Sequence, residues 1–302
     1  IGAGNVGSTT AMRLAQEGAG DIVLVDVVKG MAQGKTFDLE DCRPILKINY
    51  KIQGTDEINL IKDSDIVVIT AGLARKPGMT REELLSKNSQ ILKDICLNIK
   101  KLAKDSIVIV VTNPLDLMTY LAIKETGFKK ERVFGMGVSL DAARFANIIS
   151  KELNIPCADI DACVIGSHGE GMLPLSRFTN IKGVSLDEFA DDKKIELLVA
   201  KTINRGAEIV SLLGSGSAYY APSAAIASIV KAVVKDEKRT IGVCAYLNGE
   251  YGLKDICIGL PCRLGKSGIE KIIELDLNKK EKAALAKFVE LLKKQILTPE
   301  PT

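Results

Sequence analysis

The sequence contains a single histidine, His168, in a setting that favours acid–base chemistry. An apolar run at 163–165 precedes it and glycines stand at 166, 169 and 171, a pattern typical of a strand that ends in a turn beside a ligand. Histidine is the only side chain with an unperturbed pKa near ~6.5, so His168 is the candidate general acid and base. One imidazole cannot form a multi-histidine site, and the seven cysteines contain no Cys-x-x-Cys pair, so no metal site is predicted. A histidine with only a structural role is the alternative.

Asp141 and Arg144 are the next candidates, three positions apart in a predicted helix that opens near Leu140. Residues at this spacing share one face of a helix. Two interpretations remain open. The pair is either a surface ion pair that contributes little to stability, or Asp141 orients His168 while Arg144 binds a substrate carboxylate.

A glycine-rich segment, Gly2-Ala3-Gly4-Asn5-Val6-Gly7, matches the G-x-G-x-x-G pattern of dinucleotide-binding loops. The match is weak alone and depends on its context: a strand before it, a helix after it and an acid about 20 residues further on. An amphipathic helix follows up to Gly18, and an apolar strand at 22–25 ends at Asp26, whose carboxylate suits the hydroxyls of a ribose. We expect the preceding strand to be cut short at Ile1. Asp26 as a plain strand-end residue is the alternative.

Apolar strands alternate with helices through the first half of the chain. The strands are predicted at about 22–26, 51–53, 66–70, 107–111 and 133–135, and the helices at about 29–41, 81–103 and 115–126. This alternation predicts a doubly wound parallel sheet of the Rossmann type, in which ligands bind at the carboxyl ends of the strands. Residues at such ends are Asp26, Thr70, Ala71, Gly72 and Asn113.

The second half is predicted to form an α+β substrate domain, which divides the chain into residues 1–139 and 140–302. Its predicted elements are a strand over 160–165, helices over 194–213 and 278–297, and strands at about 240–247, 256–264 and 269–274. The short turns between the last three strands predict an antiparallel meander. The strand over 160–165 leads directly to His168.

Two arginines lie between the strand at 66–70 and the helix after it. Arg75 belongs to a loop with Pro77-Gly78 at its tip. The segment Thr80-Arg81-Glu82-Glu83 has the pattern of a capping box, so the helix should begin at Arg81. Both arginines then lie at the ligand-binding edge of the sheet. A solvated basic loop is the alternative.

Charge and composition exclude several classes of partner. The formal net charge is +3, too small to indicate a nucleic-acid surface, and no apolar run is long enough to span a membrane. The cysteines number seven, an odd count, and most lie within apolar runs, which is typical of reduced thiols in a cytoplasmic protein. Neither a nucleic acid nor a membrane is therefore expected as a partner.

The chain resembles the lactate/malate dehydrogenase superfamily, in particular the lactate-dehydrogenase-like branch of the malate dehydrogenases. The segments that carry the resemblance, in family order and spacing, are 2–7, Asp26, 71–81, 111–114, 140–144 and 165–170. The resemblance covers the whole chain. It implies an NAD-dependent enzyme that transfers a hydride reversibly between malate and NAD, giving oxaloacetate and NADH.

The resemblance also implies roles for individual residues. His168 matches the proton donor and acceptor, Asp141 its carboxylate partner, and Arg144 the residue that binds the substrate's 1-carboxylate. Arg81 matches the arginine that polarises the reacting carbonyl, and Asn113 the amide that contacts the substrate and the nicotinamide side. Cofactor contacts are implied at Gly2, Gly4, Asn5, Val6, Gly7, Asp26, Thr70, Ala71, Gly72, Asn88, Val111, Thr112 and Asn113.

Arg75 implies malate rather than lactate as the substrate. The family has an arginine here in malate enzymes and typically a neutral residue in lactate enzymes, and Ala218 lies near the usual threonine of lactate enzymes. Oxaloacetate carries a second carboxylate and so needs a second cation. The alternatives are an L-lactate or other L-2-hydroxyacid dehydrogenase and, more remotely, a non-catalytic dinucleotide-binding regulatory protein. Family members are dimers or tetramers, so we expect a homotetramer, with a dimer as second choice.

Replacing Arg75 should change the preference between two 2-oxo acids. Pyruvate has a methyl group where oxaloacetate has its distal carboxylate, and a desolvated arginine left without its anion costs about 2–5 kcal/mol. We expect Arg75→Gln to lower kcat/KM steeply for oxaloacetate and to raise the relative activity toward pyruvate. Arg81→Gln should slow both substrates, since its charge meets the carbonyl oxygen that they share. Steady-state kinetics with both acids measure the ratio.

Lys76→Gln is the matched control, because Lys76 is adjacent and also cationic. If Lys76→Gln abolishes the preference for oxaloacetate while Arg75→Gln leaves it unchanged, the assignment to Arg75 is wrong.

Overall fold

The computed structural model describes residues 1–73, 81–169 and 171–297, and of residues 81, 82, 296 and 297 it describes the backbone alone. Arg75, Lys76 and the side chain of Arg81 therefore lie outside the described residues.

Helices and strands alternate in the first half of the chain, and most strands of the second half follow one another with short connections. The described helices are α1 (Asn5–Gln16), α2 (Met31–Leu46), α3 (Arg81–Leu102), α4 (Leu115–Thr126), α5 (Val138–Leu153), α6 (Asp192–Leu213), α7 (Tyr220–Val234) and α8 (Lys279–Leu297). The described strands are β1 (Ile22–Val25), β2 (Ile52–Thr55), β3 (Ile66–Ile69), β4 (Ile107–Val110), β5 (Val133–Gly135), β6 (Ile160–Asp161), β7 (Val164–Gly166), β8 (Met172–Pro174), β9 (Asn180–Ile181), β10 (Val184–Ser185), β11 (Arg239–Asn248), β12 (Lys254–Gly265) and β13 (Gly268–Ile272). Short 3-10 helices lie at Ile58–Ile61, Lys130–Arg132, Cys157–Asp159, Ser176–Phe178, Leu186–Glu188 and Glu250–Gly252.

The strands of the first half form the predicted parallel sheet. β1 pairs with β2, and β3, β4 and β5 pair in that order, all in parallel. Ile1 and Gly2 join the two groups, because the Gly2 N–H donates to the Val25 carbonyl at 2.7 Å and the Thr70 N–H donates to the Ile1 carbonyl at 2.9 Å. Parallel strands joined by helical crossovers confirm the doubly wound α/β architecture.

The antiparallel meander of the second half extends this sheet, which the sequence did not predict. β11 pairs antiparallel with β5, β12 with β11, and β7 with β12. One residue from each strand lies in a single row across the sheet, in the order Gly135, Cys244, Gly259 and Gly166. We call these four residues the small-residue row. The row connects the parallel strands to the strand that leads to His168.

Aliphatic side chains fill the core, as the absence of tryptophan predicts. The main cluster contains residues of both halves, for example Ile109 and Met118 from the first and Val243 and Ile258 from the second. A second cluster lies between α5, α6 and the short strands β6 to β9. Because the main core is shared, burial of apolar surface stabilises both halves together.

The prediction of a single strand over 160–165 is wrong. β6 pairs with β9 in a small three-stranded sheet, whereas β7 belongs to the large sheet. Cys163 separates them, since its N–H donates to the Thr179 hydroxyl at 3.1 Å and its carbonyl accepts from the Leu175 N–H at 2.9 Å. Both backbone groups are thus satisfied outside a continuous ladder, and an apolar pattern alone does not signal such a break.

The ends of the helices differ from the prediction by a few residues. The described part of α3 begins at Arg81, directly after residues that lie outside the described ranges, so the capping box stays a prediction, whereas α4 has the predicted bounds. α5 begins at Val138 rather than Leu140, so the predicted domain border at 139/140 falls in its first turn.

Large exposed apolar side chains are concentrated on α2 and α6. Those of α2 are Met31, Phe37, Ile45 and Leu46, and those of α6 are Leu197, Ile203, Val210, Leu212 and Leu213. The large apolar residues of α5, Phe145, Ile148 and Ile149, are buried within the chain. Over the described ranges, no helix has both the length and the apolar character needed to cross a membrane.

Gly54 should be essential for packing α2 against β2. A Cβ added at Gly54 would lie 2.2 Å from the carbonyl oxygen of Ala32, a backbone atom that cannot rotate away. We expect Gly54→Ala to lower the free energy of unfolding by about 1–3 kcal/mol, the usual cost of overpacking. Chemical denaturation measures the change. Gln53→Ala is the control, because this neighbouring side chain is exposed and should stay within about 0.5 kcal/mol of the parent. Equal stabilities would contradict the packing argument.

Candidate active site

Asp141 is a fully buried carboxylate that links the two other candidate residues of the second half. It lies in the first turn of α5. Its Oδ2 lies 2.9 Å from Nδ1 of His168, and its Oδ1 accepts a hydrogen bond from a guanidinium N–H of Arg144 at 3.3 Å. The side chains of His168 and Arg144 remain 17% and 12% exposed, so each can still meet a ligand. The alternative interpretation, a surface ion pair, is therefore excluded.

The small-residue row brings the start of α5 close to the end of β7. A Cβ on Gly259 would lie 2.3 Å from a methyl group of Val138, and a Cβ on Gly166 would lie 2.4 Å from the carbonyl of Gly171. Gly166 also has φ +90°, which disfavours any residue with a side chain. Glycine at these positions allows Asp141 and His168 to come within hydrogen-bonding distance.

The environment of His168 favours its protonated form. Burial lowers the pKa of His168, but the hydrogen bond and the charge of Asp141 raise it by more, so that the pKa lies above its ordinary value. Because Nδ1 is held by Asp141, Nε2 is the atom that can exchange a proton with a ligand. This is the arrangement of an oriented general acid and base.

Arg144 has capacity to bind an anion. Burial lowers its pKa and Asp141 partly offsets this, but a guanidinium stays charged in proteins. It carries five N–H groups, and the hydrogen bond to Asp141 occupies one of them. The backbone of Gly206 in α6 packs beside the guanidinium, where a Cβ would lie 3.5 Å from its nitrogen. The remaining donors can bind both oxygens of a carboxylate.

The glycine segment has the geometry of a dinucleotide-binding loop. Gly4 caps α1 and offers no side chain to the first turn of the helix, which leaves that terminus suited to a diphosphate. A Cβ on Gly7 would lie 1.9 Å from the Gly2 carbonyl, and Asn5 and Val6 open the helix between them. Asp26 accepts the Ala3 N–H at 2.7 Å and so lies beside the loop, where a ribose would bind.

The other predicted cofactor residues form one hydrogen-bonded edge at the ends of β3 and β4. The Thr112 hydroxyl donates to the Ala71 carbonyl at 2.6 Å, and the Thr70 hydroxyl donates to the Gly2 carbonyl at 3.0 Å. Asn88 is buried and donates to the Asn113 carbonyl at 2.8 Å. Gly72 packs against Thr112, and the Val111 N–H bonds to Ile69. The structure thus brings together all the described residues of the predicted cofactor set.

Two residues beside the site, Asp116 and Lys35, gave no signal in the sequence. Asp116, in the first turn of α4, accepts hydrogen bonds from the Ser167 hydroxyl and, at 3.2 Å, from the Cys244 thiol. Lys35 lies on α2, and its ammonium donates to the Ala3 carbonyl at 2.6 Å, which puts a cation beside the glycine loop. An acid at a helix start and a lysine on a helix are normally solvated, so only the fold reveals these contacts.

Two of the predicted substrate contacts, Arg75 and the side chain of Arg81, lie outside the described residues. Across the described side chains, no group of three or more His, Cys, Asp or Glu residues is arranged to hold a metal ion.

Known proteins match this chain over nearly its full length. The family model for the lactate/malate dehydrogenase NAD binding domain matches residues 1–135, and that for the lactate/malate dehydrogenase alpha/beta C-terminal domain matches residues 138–300. A curated relative named malate dehydrogenase, from Methanosarcina mazei, is 51% identical over 98% of this chain and 96% of its own length.

Solved structures of both enzyme types are similar to this fold. Malate dehydrogenase from Picrophilus torridus, in its apo form, has a TM-score of 0.95 at 42% identity, with coverage of 98% of this chain and 94% of the other. Lactate dehydrogenase from Eimeria maxima, with NADH and oxamate, has a TM-score of 0.94 at 36% identity, with coverage of 98% and 91%. The glycine loop, the buried Asp141 with its two partners and these full-length matches agree: the chain belongs to the lactate/malate dehydrogenase family.

Proposed function

We propose that the chain is an NAD-dependent malate dehydrogenase, which interconverts (S)-malate and oxaloacetate, a reaction of the tricarboxylic acid cycle. The observation that carries the proposal is Asp141, which holds a proton-transferring imidazole and a carboxylate-binding guanidinium side by side. A 2-hydroxy acid presents a hydroxyl beside a carboxylate and so matches this pair. The relative from Methanosarcina mazei, at 51% identity, supports malate among such acids.

NAD fits the first half of the chain. When bound, it supplies the hydride acceptor for malate oxidation and the donor for the reverse reaction. The first turn of α1 binds the diphosphate, and the charge of Lys35 beside the loop favours that anion. Asp26 accepts the ribose hydroxyls, and its carboxylate disfavours a 2′-phosphate, so NAD is preferred to NADP.

His168 moves the proton of the reaction. In malate oxidation Nε2 takes the proton from the hydroxyl oxygen as the carbon that bears this oxygen loses its hydride, and in oxaloacetate reduction Nε2–H returns a proton to the carbonyl oxygen. Asp141 holds the ring in position and stabilises the imidazolium that malate oxidation produces. The proton and the hydride together balance the two-electron oxidation.

The arginines bind the substrate. Arg144 binds the 1-carboxylate, with the N–H groups that Asp141 does not use. Arg75 binds the distal carboxylate and Arg81 polarises the reacting carbonyl. The roles of these two rest on the resemblance of the segment 71–81 to the family, and the roles of Asn113 and Asn88 rest on the same argument.

We extend the proposal to the organisation of the protein. Residues 1–139 form the NAD-binding domain and 140–302 the substrate domain, and the protein is a cytoplasmic homotetramer, with a dimer as second choice. The exposed apolar side chains of α2 and α6 support self-association, and seven free thiols support a reducing compartment. Light scattering that finds a monomer at working concentration would contradict the assembly.

His168→Asn should nearly abolish turnover with oxaloacetate. Asparagine keeps some hydrogen bonding but cannot shuttle a proton, so kcat should fall by about 10²–10⁴-fold while the affinity for NADH stays near the parent value. NADH oxidation is measured with a panel of oxaloacetate, pyruvate and other 2-oxo acids. Full activity in His168→Asn would refute the role of the imidazole.

The same panel tests the alternative functions on the unsubstituted protein. If its activity is highest with pyruvate, the L-lactate dehydrogenase alternative is favoured. NADH binding without turnover of any 2-oxo acid would favour a regulatory protein.

Asp141→Asn should lower the pKa of His168, because the substitution removes the negative charge that helps to offset the effect of burial and leaves only a neutral acceptor for Nδ1–H. Oxaloacetate reduction needs protonated His168, so its rate falls as pH rises through this pKa. In Asp141→Asn that fall should occur at lower pH, and kcat at neutral pH should drop on the order of 10²–10⁴-fold. The pH–rate profile measures the change. Asp161→Asn, which alters an exposed aspartate, is the control and should leave the profile unchanged.

A further inference from the structure

Asp116 is a buried carboxyl group beside His168 that the proposed mechanism does not use. It lies in the first turn of α4 and is 5% exposed. Its hydrogen bonds come from two neutral donors, the hydroxyl of Ser167 to Oδ2 and the thiol of Cys244 to Oδ1. Burial of a carboxyl group is costly unless its oxygens are hydrogen-bonded, so these two bonds fix the side chain.

Ser167 is the residue immediately before His168. The turn that holds both is closed by the backbone, since the Ser167 N–H donates to the Gly171 carbonyl and the Met172 N–H donates to the Gly169 carbonyl, both at 3.1 Å. The side chains of Ser167 and His168 then bond to carboxyl groups on two different helices, Asp116 on α4 and Asp141 on α5. Hydrogen bonds from two consecutive side chains thus hold the turn in place.

The hydrogen bond between Ser167 and Asp116 on α4 links the turn to the cofactor half of the site. Asp116 follows Asn113 by three residues, and the carbonyl of Asn113 is held by Asn88. Asn113 is the amide proposed for the nicotinamide side. A shift of the turn away from Asp116 would therefore move the proton-transferring ring relative to the place where the hydride is exchanged.

We propose that Asp116 is a positioning residue for His168, which acts through the Ser167 hydroxyl to fix the imidazole relative to the nicotinamide end of the site. This inference rests on the proposed role of His168 and deepens it. The alternative is that Asp116 only satisfies a buried polar position in the core.

The charge of Asp116 affects the pKa of His168, which can be measured. Burial raises the pKa of Asp116 to about 6, although the Ser167 and Cys244 hydrogen bonds and the charge of His168 lower it. In the described structure, Asp116 also faces Asp141, while Asp141, Arg144 and Asp116 face His168. Burial raises the pKa of Cys244 well above its ordinary value, so its thiol stays neutral. An ionised Asp116 thus stabilises protonated His168, and its removal should lower the pKa of His168.

Three substitutions separate positioning from simple packing. Asp116→Asn keeps an oxygen that can accept the Ser167 hydroxyl but removes the charge. Ser167→Ala removes the hydrogen bond and keeps the carboxyl group, and Ser167→Thr restores a hydroxyl. Thr119→Val is the control, because Thr119 is buried one turn further along α4 and its hydroxyl donates to the Leu115 carbonyl within the same helix.

The lone histidine allows a direct readout. In tag-free, full-length protein labelled at histidine, NMR gives one imidazole signal, and its titration needs no cofactor and no turnover. We expect Asp116→Asn to shift the titration midpoint of His168 to lower pH. We expect Ser167→Ala to lower kcat for oxaloacetate by roughly 10- to 100-fold, with the KM changed much less, because the reacting groups are misplaced rather than the substrate lost. Ser167→Thr should recover most of this activity.

The outcomes are distinguishable. The proposal would be overturned if Asp116→Asn left the titration midpoint of His168 unchanged and Ser167→Ala left kcat unchanged. It would also be overturned if Thr119→Val produced the same shift of the midpoint and the same loss of kcat. If Asp116→Asn fails to fold, the Ser167→Ala and Ser167→Thr pair decides by itself, since Ser167 lies at the edge of the core. If the parent turns over no 2-oxo acid, the proposed function fails, while the titration of the folded variants still tests the link between Asp116 and His168.

Discussion

The site depends on one buried carboxylate that must be paired. Asp141 is fully removed from solvent, and a buried charge without partners is strongly destabilising. Its two oxygens bond to His168 and Arg144, and its place in the first turn of α5 adds the favourable field of a helix N-terminus. The need to pair this one carboxylate therefore fixes the positions of both the His168 imidazole and the Arg144 guanidinium.

The sheet supplies the geometry that this pairing needs. The small-residue row lets the backbone at the end of β7 and the first residue of α5 approach more closely than side chains would allow. Asp116 and Ser167 add a second connection, from α4 to the same turn. Residues far apart in the sequence thus converge because glycines leave room and because buried polar groups require partners.

Much of the fold and of the site follows from local patterns. The glycine loop, the acid at the end of β1 and the alternation of strands and helices predict the sheet and its ligand-binding edge, and the scarcity of histidine draws attention to His168. The contacts of Asp116 with Cys244 and of Lys35 with Ala3 depend on tertiary packing, and neither residue belongs to a recognisable motif. The break at Cys163 escapes prediction for a related reason, since its backbone partners come from a later segment.

The shared sheet also governs how the chain unfolds. Regions that match two separate family models are joined through the β5–β11 pairing and through one apolar core. Separating them would break hydrogen bonds between strands and expose that core, so the two regions should melt in one cooperative transition rather than in two. A dinucleotide bound at the glycine loop would then protect the C-terminal helices against denaturation together with the helices of the first half.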